Sequence, residues 1–275
     1  MNILYGFAAA ILIVFGAWCL LLLPRRKHPG WEELSGFRYA HRGLHNVEKG
    51  VPENGPAAFR AAVDAGFGAE LDVHLMADGN LAVVHDSSLK RVCGADVRIE
   101  DLTAADLPRY PLIGSGETIP LLEEVLAVFG DKTPLIVELK VERGNAAALV
   151  KATMARLEKW EGRYCVESFH PRAVYEMKKQ YPHVLRGQLA QNFFRGSETS
   201  RLSWPLAFVM TFLLSTFLTR PDFIAYSCRD RSVISLRLMK KLYGVHEVSW
   251  TIRSREEMLA LEKEGCVPIF EGFLP

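Results

Sequence analysis

The chain opens on an unbroken apolar stretch and then changes rhythm. Ile3 to Leu23 holds 21 residues without a charged side chain. As a helix it would run about 31 Å, the thickness of a bilayer's hydrocarbon core. From Phe37 onward, short apolar runs alternate with amphipathic helical patterns. The runs predict strands at Phe37–Gly43, Ala69–Met76, Leu81–His85, Leu135–Lys140, Tyr164–Phe169, Val184–Leu189, Phe223–Tyr226, Glu247–Ile252 and Val267–Phe270. Helical spacing covers Pro56–Ala65, Leu121–Phe129, Asn145–Trp160, Pro171–Gln180, Ser232–Tyr243 and Arg255–Glu264. Alternation of this kind makes βαβ units and a parallel sheet. About eight such strands in roughly 240 residues fit an α/β fold of the TIM-type (β/α)8 barrel. The alternative is a doubly wound open sheet. No GxGxxG follows the first strand, so nucleotide binding has no support.

This pattern divides the chain into an anchor over 1–24, a linker over 25–36 and a barrel over 37–275. A cleaved signal peptide would need a basic n-region and a small-x-small cleavage site, but no Lys or Arg precedes position 25 and the stretch ends in Leu20-Leu21-Leu22-Leu23-Pro24. The stretch therefore reads as an uncleaved N-terminal transmembrane helix. Arg25, Arg26 and Lys27 follow it. By the positive-inside rule this gives a single-pass membrane protein with its catalytic domain in the cytoplasm. Two segments interrupt the barrel rhythm. Residues 87–118 form a small insertion after the third strand, and a long βα segment lies on the catalytic face of a barrel. Leu202–Thr219 carries 18 uncharged residues. It reads either as a core helix or as an apolar, membrane-facing loop or helix, interfacial or broken at Pro205.

The 33 basic and 32 acidic residues nearly cancel, so no basic excess points to nucleic acid. Cys19, Cys93, Cys165, Cys228 and Cys266 are scattered, with no CxxC pair, and read as reduced thiols.

Four strands end in residues that a buried strand should not hold: His41-Arg42, Glu70-x-Asp72, His85-Asp86 and Glu138-x-Lys140. Side chains two apart share a face of a strand. Glu70 and Asp72 therefore point together, as do Glu138 and Lys140. Buried carboxylates need a cation or an ion-pair partner. Glu70, Asp72 and Glu138 converging on a barrel mouth imply one hard divalent ion, Mg²⁺ or Ca²⁺. Salt bridges of Glu138 with Lys140 and of Glu70 with Arg42 are the purely structural alternative. His41 and His85 flank the carboxylates and can carry protons near neutrality. A hard cation, an arginine, a lysine and two histidines suit an anionic ester, and a phosphodiester fits. His74 lies in register with Glu70 and Asp72 and reads as a face-filling or exposed residue, with a place supporting the site from behind its ligands as the alternative.

These residues resemble the glycerophosphodiester phosphodiesterase family. The run is His41-Arg42-Gly43, Pro52-Glu53-Asn54, Ala58-Phe59, Ala62, Gly66, Glu70-x-Asp72-Val73, Asp78-Gly79 and His85-Asp86-x-x-Leu89-x-Arg91, continued by Glu138-Leu139-Lys140, Ser168-Phe169 and Trp250. The resemblance implies a TIM-type barrel that hydrolyses glycerophosphodiesters to glycerol 3-phosphate and an alcohol. It implies Glu70, Asp72 and Glu138 as metal ligands, His41 and His85 as the acid–base pair, and Arg42 and Lys140 as phosphate-binding groups. It also implies Glu53 and Trp250 as supporting residues, Glu53 orienting Arg42 or a metal-bound group. Two positions depart from the pattern: Gly55 follows Pro-Glu-Asn, and Glu271-Gly272 stands where Thr-Asp is usual.

The expected activity is membrane-anchored, metal-dependent hydrolysis of a glycerophosphodiester. A lysophospholipase D acting on lysophospholipids, with membrane lipid as partner, is the variant that would use an apolar rim. A catalytically idle binding protein is the alternative from another class.

Overall fold

The computed structural model describes residues 2–25, 28–195 and 202–275. Nine strands form one sheet: β1 (Tyr39–His41), β2 (Gly68–Leu75), β3 (Leu81–Val83), β4 (Leu135–Leu139), β5 (Tyr164–Ser168), β6 (Arg186–Ala190), β7 (Phe223–Ser227), β8 (His246–Ile252) and β9 (Val267–Phe270). Eight of them pair in parallel and close through β1–β2 into the expected barrel, in the order β1-β9-β8-β7-β6-β5-β4-β2. The open-sheet alternative falls with that closure. The third predicted strand is not a barrel stave. β3 runs antiparallel to β2, with Val73 opposite Val83, and so forms a hairpin outside the ring. That hairpin and the insertion behind it lie together between β2 and β4. The insertion has its own small core of Val84, Leu89, Ile99, Leu107 and Ile119.

Alternation along each stave divides the apolar side chains between two layers. Ile136, Cys165, Leu189, Phe223 and Val248 fill the barrel interior. Val137, Leu139 and Val166 face outward beneath the helices. The helix Pro56–Asp64 illustrates the fit. Pro56 starts it, where a missing N–H costs nothing, and Ala58, Phe59, Ala62 and Val63 form its buried stripe. Phe59 meets Phe129 edge-on at 5.9 Å, and its burial contributes on the order of 2–3 kcal/mol.

The N-terminal region departs most from expectation. Its helix spans Asn2–Leu21, and its described side chains begin at Tyr5. Among the described residues, no helix is long and apolar enough to cross a membrane. The single-pass anchor over 1–24, and the cytoplasmic placement argued from it, are therefore not upheld. The last turns of this helix are bound to the barrel's helix layer. Leu22 is fully buried beside Leu213 and Tyr226, Trp18 meets Phe212 edge-on at 6.3 Å, and the Tyr243 hydroxyl donates to the Cys19 carbonyl at 2.8 Å. Arg26 and Lys27, used for the orientation, lie outside the described residues. Arg25 instead donates to the Pro182 carbonyl at 2.5 Å and faces Asp222 at 3.5 Å.

Residues 25–36 are likewise more than a linker. A short helix, Trp31–Ser35, sets Trp31 into the barrel interior, 5.6 Å from Phe223 and stacked on His246 at 4.3 Å. Phe223 and His246 open their strands, so Trp31 closes the N-terminal end of the barrel. Leu202–Thr219 contains two helices, Trp204–Thr211 and Thr216–Thr219. They occupy the helix layer between β6 and β7. Pro205 sits in the first turn and starts a helix rather than breaking one. Ala207, Met210, Leu213 and Thr216 are buried, whereas Trp204, Leu206, Phe208, Phe217 and Leu218 are exposed.

Candidate active site

Register assembles the site. His41 pairs with Glu70, Asp72 with Glu138, and Glu138 with Glu167, so these side chains form a belt across four adjacent staves. Glu70, Asp72 and Glu138 each offer an oxygen atom within 4.8 Å of the others, and all three are buried. Ion pairs accompany the cluster. Lys140 Nζ lies 2.9 Å from Asp72 and 2.8 Å from Glu138. Arg42 Nε lies 3.5 Å from Asp72, and the Arg42 backbone N–H donates to Glu70 at 3.2 Å.

The cluster is still short of positive charge. Burial and the neighbouring Asp72 and Glu138 carboxylates push Glu70 well above the usual carboxylate range, more than Arg42 can offset. Burial also raises Glu138. Asp72 alone stays well below its ordinary value: burial opposes ionisation, but Lys140, His85 and Arg42 outweigh it. An all-oxygen set with surplus negative charge fits a hard divalent cation.

A backbone feature holds this end of the barrel. Arg42 has φ 56° and Gly43 φ 79°, both left-handed. A Cβ on Gly43 would approach Ala58 to 2.9 Å, so only glycine lets the chain turn against the helix Pro56–Asp64. The Pro-Glu-Asn loop then reaches over the site. Asn54 Nδ2 donates to Asp72 at 2.9 Å, and Arg42 donates to Glu53 at 2.8 Å. Burial works against Glu53's charge, but Arg91 and Arg42 bring it down to about 2.

Both histidines line a cavity of about 960 Å³. His41 Nδ1 meets Glu271 at 2.5 Å. That contact holds the Glu271 carboxyl at about 2, so Nδ1 carries the hydrogen and Nε2 is left for chemistry, 3.9 Å from Glu70. Burial lowers His41 below its ordinary value, and Glu271 only partly offsets this. His85 is built the same way, with Nδ1 on Asp86 at 2.6 Å. It reaches the mouth because β3 is antiparallel: Val84 N–H donates to the Asp72 carbonyl, which brings the next residue back to the level of the carboxylates. Trp250 lines the cavity, edge-on to Phe169 at 5.5 Å, with its indole N–H donated to the Ala225 carbonyl.

The family model described as "Glycerophosphoryl diester phosphodiesterase family" matches residues 41–273. The chain belongs to this family. A glycerophosphodiester phosphodiesterase from Caldanaerobacter subterraneus subsp. tengcongensis is 35% identical over 164 residues, 55% of this chain and 65% of that protein. Human lysophospholipase D GDPD1 is 38% identical over 112 residues, 36% of this chain and 34% of that protein. The chain thus matches less than two thirds of the length of these curated relatives. A solved phosphodiesterase from Oleispira antarctica, in complex with the product sn-glycerol-3-phosphate, superposes with a TM-score of 0.69 at 22% identity. That match covers 86% of this chain and 94% of the other and shows a shared fold.

In this member of the family, the structure brings together every candidate site residue named from the sequence and adds others. Arg91 binds Glu53 through two nitrogens, at 2.7 and 2.8 Å, and Asp86 at 2.6 Å. A continuous ionic chain thus runs from His85 through Asp86, Arg91 and Glu53 to Arg42. Asp86 and Arg91 stood in the quoted run without a role. Glu271 stood there as a departure, yet it supports His41. His74 is neither face-filling nor exposed. It is buried, with Nδ1 on Glu100 at 2.6 Å and Nε2 on the His85 carbonyl at 3.2 Å. Glu100 also accepts from Ser87 at 2.6 Å, so the hairpin carrying His85 is clamped on both sides.

Proposed function

We propose that the protein hydrolyses glycerophosphodiesters to glycerol 3-phosphate and an alcohol, with one divalent cation, Mg²⁺ or Ca²⁺, held by Glu70, Asp72 and Glu138. The observation that carries this is the meeting of three carboxylates, two cationic side chains and two carboxylate-oriented histidines at one barrel mouth. Arg42 and Lys140 bind the phosphoryl oxygens and stabilise the charge that spreads over them. When bound, the cation supplies further positive charge at those oxygens. One histidine activates the nucleophile and the other protonates the departing alkoxide. His41 is held below its ordinary value chiefly by burial and so is neutral at pH 7, which suits the accepting role and leaves the donating role to His85. Glycerol 3-phosphate release from glycerophosphocholine, with and without EDTA, tests the reading. Turnover that survives exhaustive chelation would remove the cation from it.

A second reading, a lysophospholipid substrate, is supported by one feature. Phe169, Phe193, Leu202 and Trp250 make one wall of the cavity apolar. Outside it, Phe194, Trp204 and Phe208 continue in a row with ring centroids 6.0 and 5.7 Å apart. An acyl chain leaving the cavity would lie along this row. Trp204 and Phe208 are exposed, so aspartate at both positions should leave the fold intact. The double variant should lose at least about ten times more turnover of lysophosphatidylcholine than of glycerophosphocholine, since even one aromatic contact buried at about 1.5 kcal/mol corresponds to roughly tenfold. Equal losses on the two substrates would dismiss the acyl path.

A further inference from the structure

His74 is a buried histidine to which the proposed reaction gives no task. It stands two positions beyond Asp72 on β2, where the strand has already left the ring. The register of β2 with β4 ends at Val73 and Leu139, and His74 pairs with Ala82 of β3 instead. Only 1% of the residue is exposed. Both ring nitrogens have partners. Nδ1 meets Glu100 at 2.6 Å, and Nε2 meets the His85 carbonyl at 3.2 Å. A carbonyl only accepts, so Nε2 is a nitrogen that carries a hydrogen. Glu100 is fixed in turn, by Ser87 at 2.6 Å and by Arg98 at 3.4 Å.

The carbonyl that His74 takes belongs to backbone that no strand holds. β3 ends at Val83, and the last backbone bond before the histidine runs from Val84 N–H to the Asp72 carbonyl at 3.1 Å. Among the described residues, no backbone N–H donates to the His85 carbonyl. Asp86 orients the His85 ring at 2.6 Å, but it sits on the same loop and cannot fix where that loop stands. We infer that His74 is a positioning residue: by holding the His85 peptide, it sets the His85 ring where it can protonate the departing alkoxide. This rests on the donating role given to His85 above. An apolar side chain of similar volume would fill the same space, but it would leave the peptide free to turn. Proton transfer tolerates such errors poorly, and a shift of about 1 Å can cost roughly 10²-fold.

Kinetics on two esters test it. The alkoxide of glycerophosphocholine needs a proton to leave, whereas the nitrophenolate of the 4-nitrophenyl ester of sn-glycerol 3-phosphate leaves without one. His74→Met keeps the volume and removes the N–H. Its kcat on glycerophosphocholine should fall about tenfold or more with KM little changed, while the nitrophenyl ester keeps its turnover. His85→Ala should show the same pattern more strongly. His74→Gln, whose amide can donate to the same carbonyl, should recover most of the loss. In a His85→Ala background, His74→Met should cost almost nothing further, because the ring it places is gone. An additive loss there, or full glycerophosphocholine turnover in His74→Met, would overturn the inference. If both single variants slow the two esters alike, the donating role leaves His85, and the non-additive double variant still carries the positioning. NMR of the native protein serves where the methionine variant does not fold or where the native protein releases no glycerol 3-phosphate. The His74 ring should then show a slowly exchanging hydrogen on Nε2, and a bare Nε2 would overturn the inference as well.

Discussion

Replacing Glu138 with glutamine should lower glycerophosphocholine turnover by on the order of 10²–10³-fold or more, the scale seen when a group that stabilises transition-state charge is lost. The fold should survive, because Lys140 keeps Asp72 at 2.9 Å and the amide fills the same volume. Glu70→Gln should behave alike. Asp72→Asn should do more harm, since Asp72 holds Lys140, Arg42 and Asn54 at once. Its loss would leave two buried cations under-compensated, a change that costs stability as well as activity. Activity against Mg²⁺ concentration, read beside Tm, separates the two effects. A Glu138→Gln enzyme with full turnover in metal-free buffer would show that the carboxylates serve only as partners for Lys140 and Arg42.

Alanine at His41 or at His85 should reduce kcat by about 10²-fold or more, as the loss of a general acid or base usually does. The supporting acids give a finer test. Glu271 stabilises the charged form of His41, opposing the burial that lowers it. In Glu271→Gln that support is gone, so His41 should titrate at lower pH. If His41 is the base, the acid limb of kcat/KM must move down in pH. A limb that stays in place would detach Glu271 from His41 in the working enzyme.

Much of this site was legible because barrel chemistry has a fixed address. Strand-terminal polar residues two apart, as in Glu70-x-Asp72 and Glu138-x-Lys140, stand out against apolar alternation. A barrel sends such residues to one mouth. The same local logic placed the helices of the barrel. It failed in three places. Leu81–Val83 has a strand's composition, but nothing local says that it pairs antiparallel with β2 instead of joining the ring. His74 has the spacing of an inward residue, and only the insertion folding over it supplies Glu100 as a partner. The N-terminal apolar run had the length of a span on paper, while its end packs into the helix layer beside Leu213 and Tyr226.

The sequence by itself determined which segments are strands and helices, and which acids, bases and cations stand at their ends. These follow from period and composition within a few residues. Tertiary structure alone decided the partners. Glu271 meets His41 across 230 positions of chain, Arg91 meets Glu53 across 38, and Glu138 stands beside Glu167 through the β4–β5 register. Register and strand direction are set when distant segments close a shared hydrogen-bond ladder. A shift of one residue turns every side chain to the other face, and no local spacing records which register the closed barrel adopts.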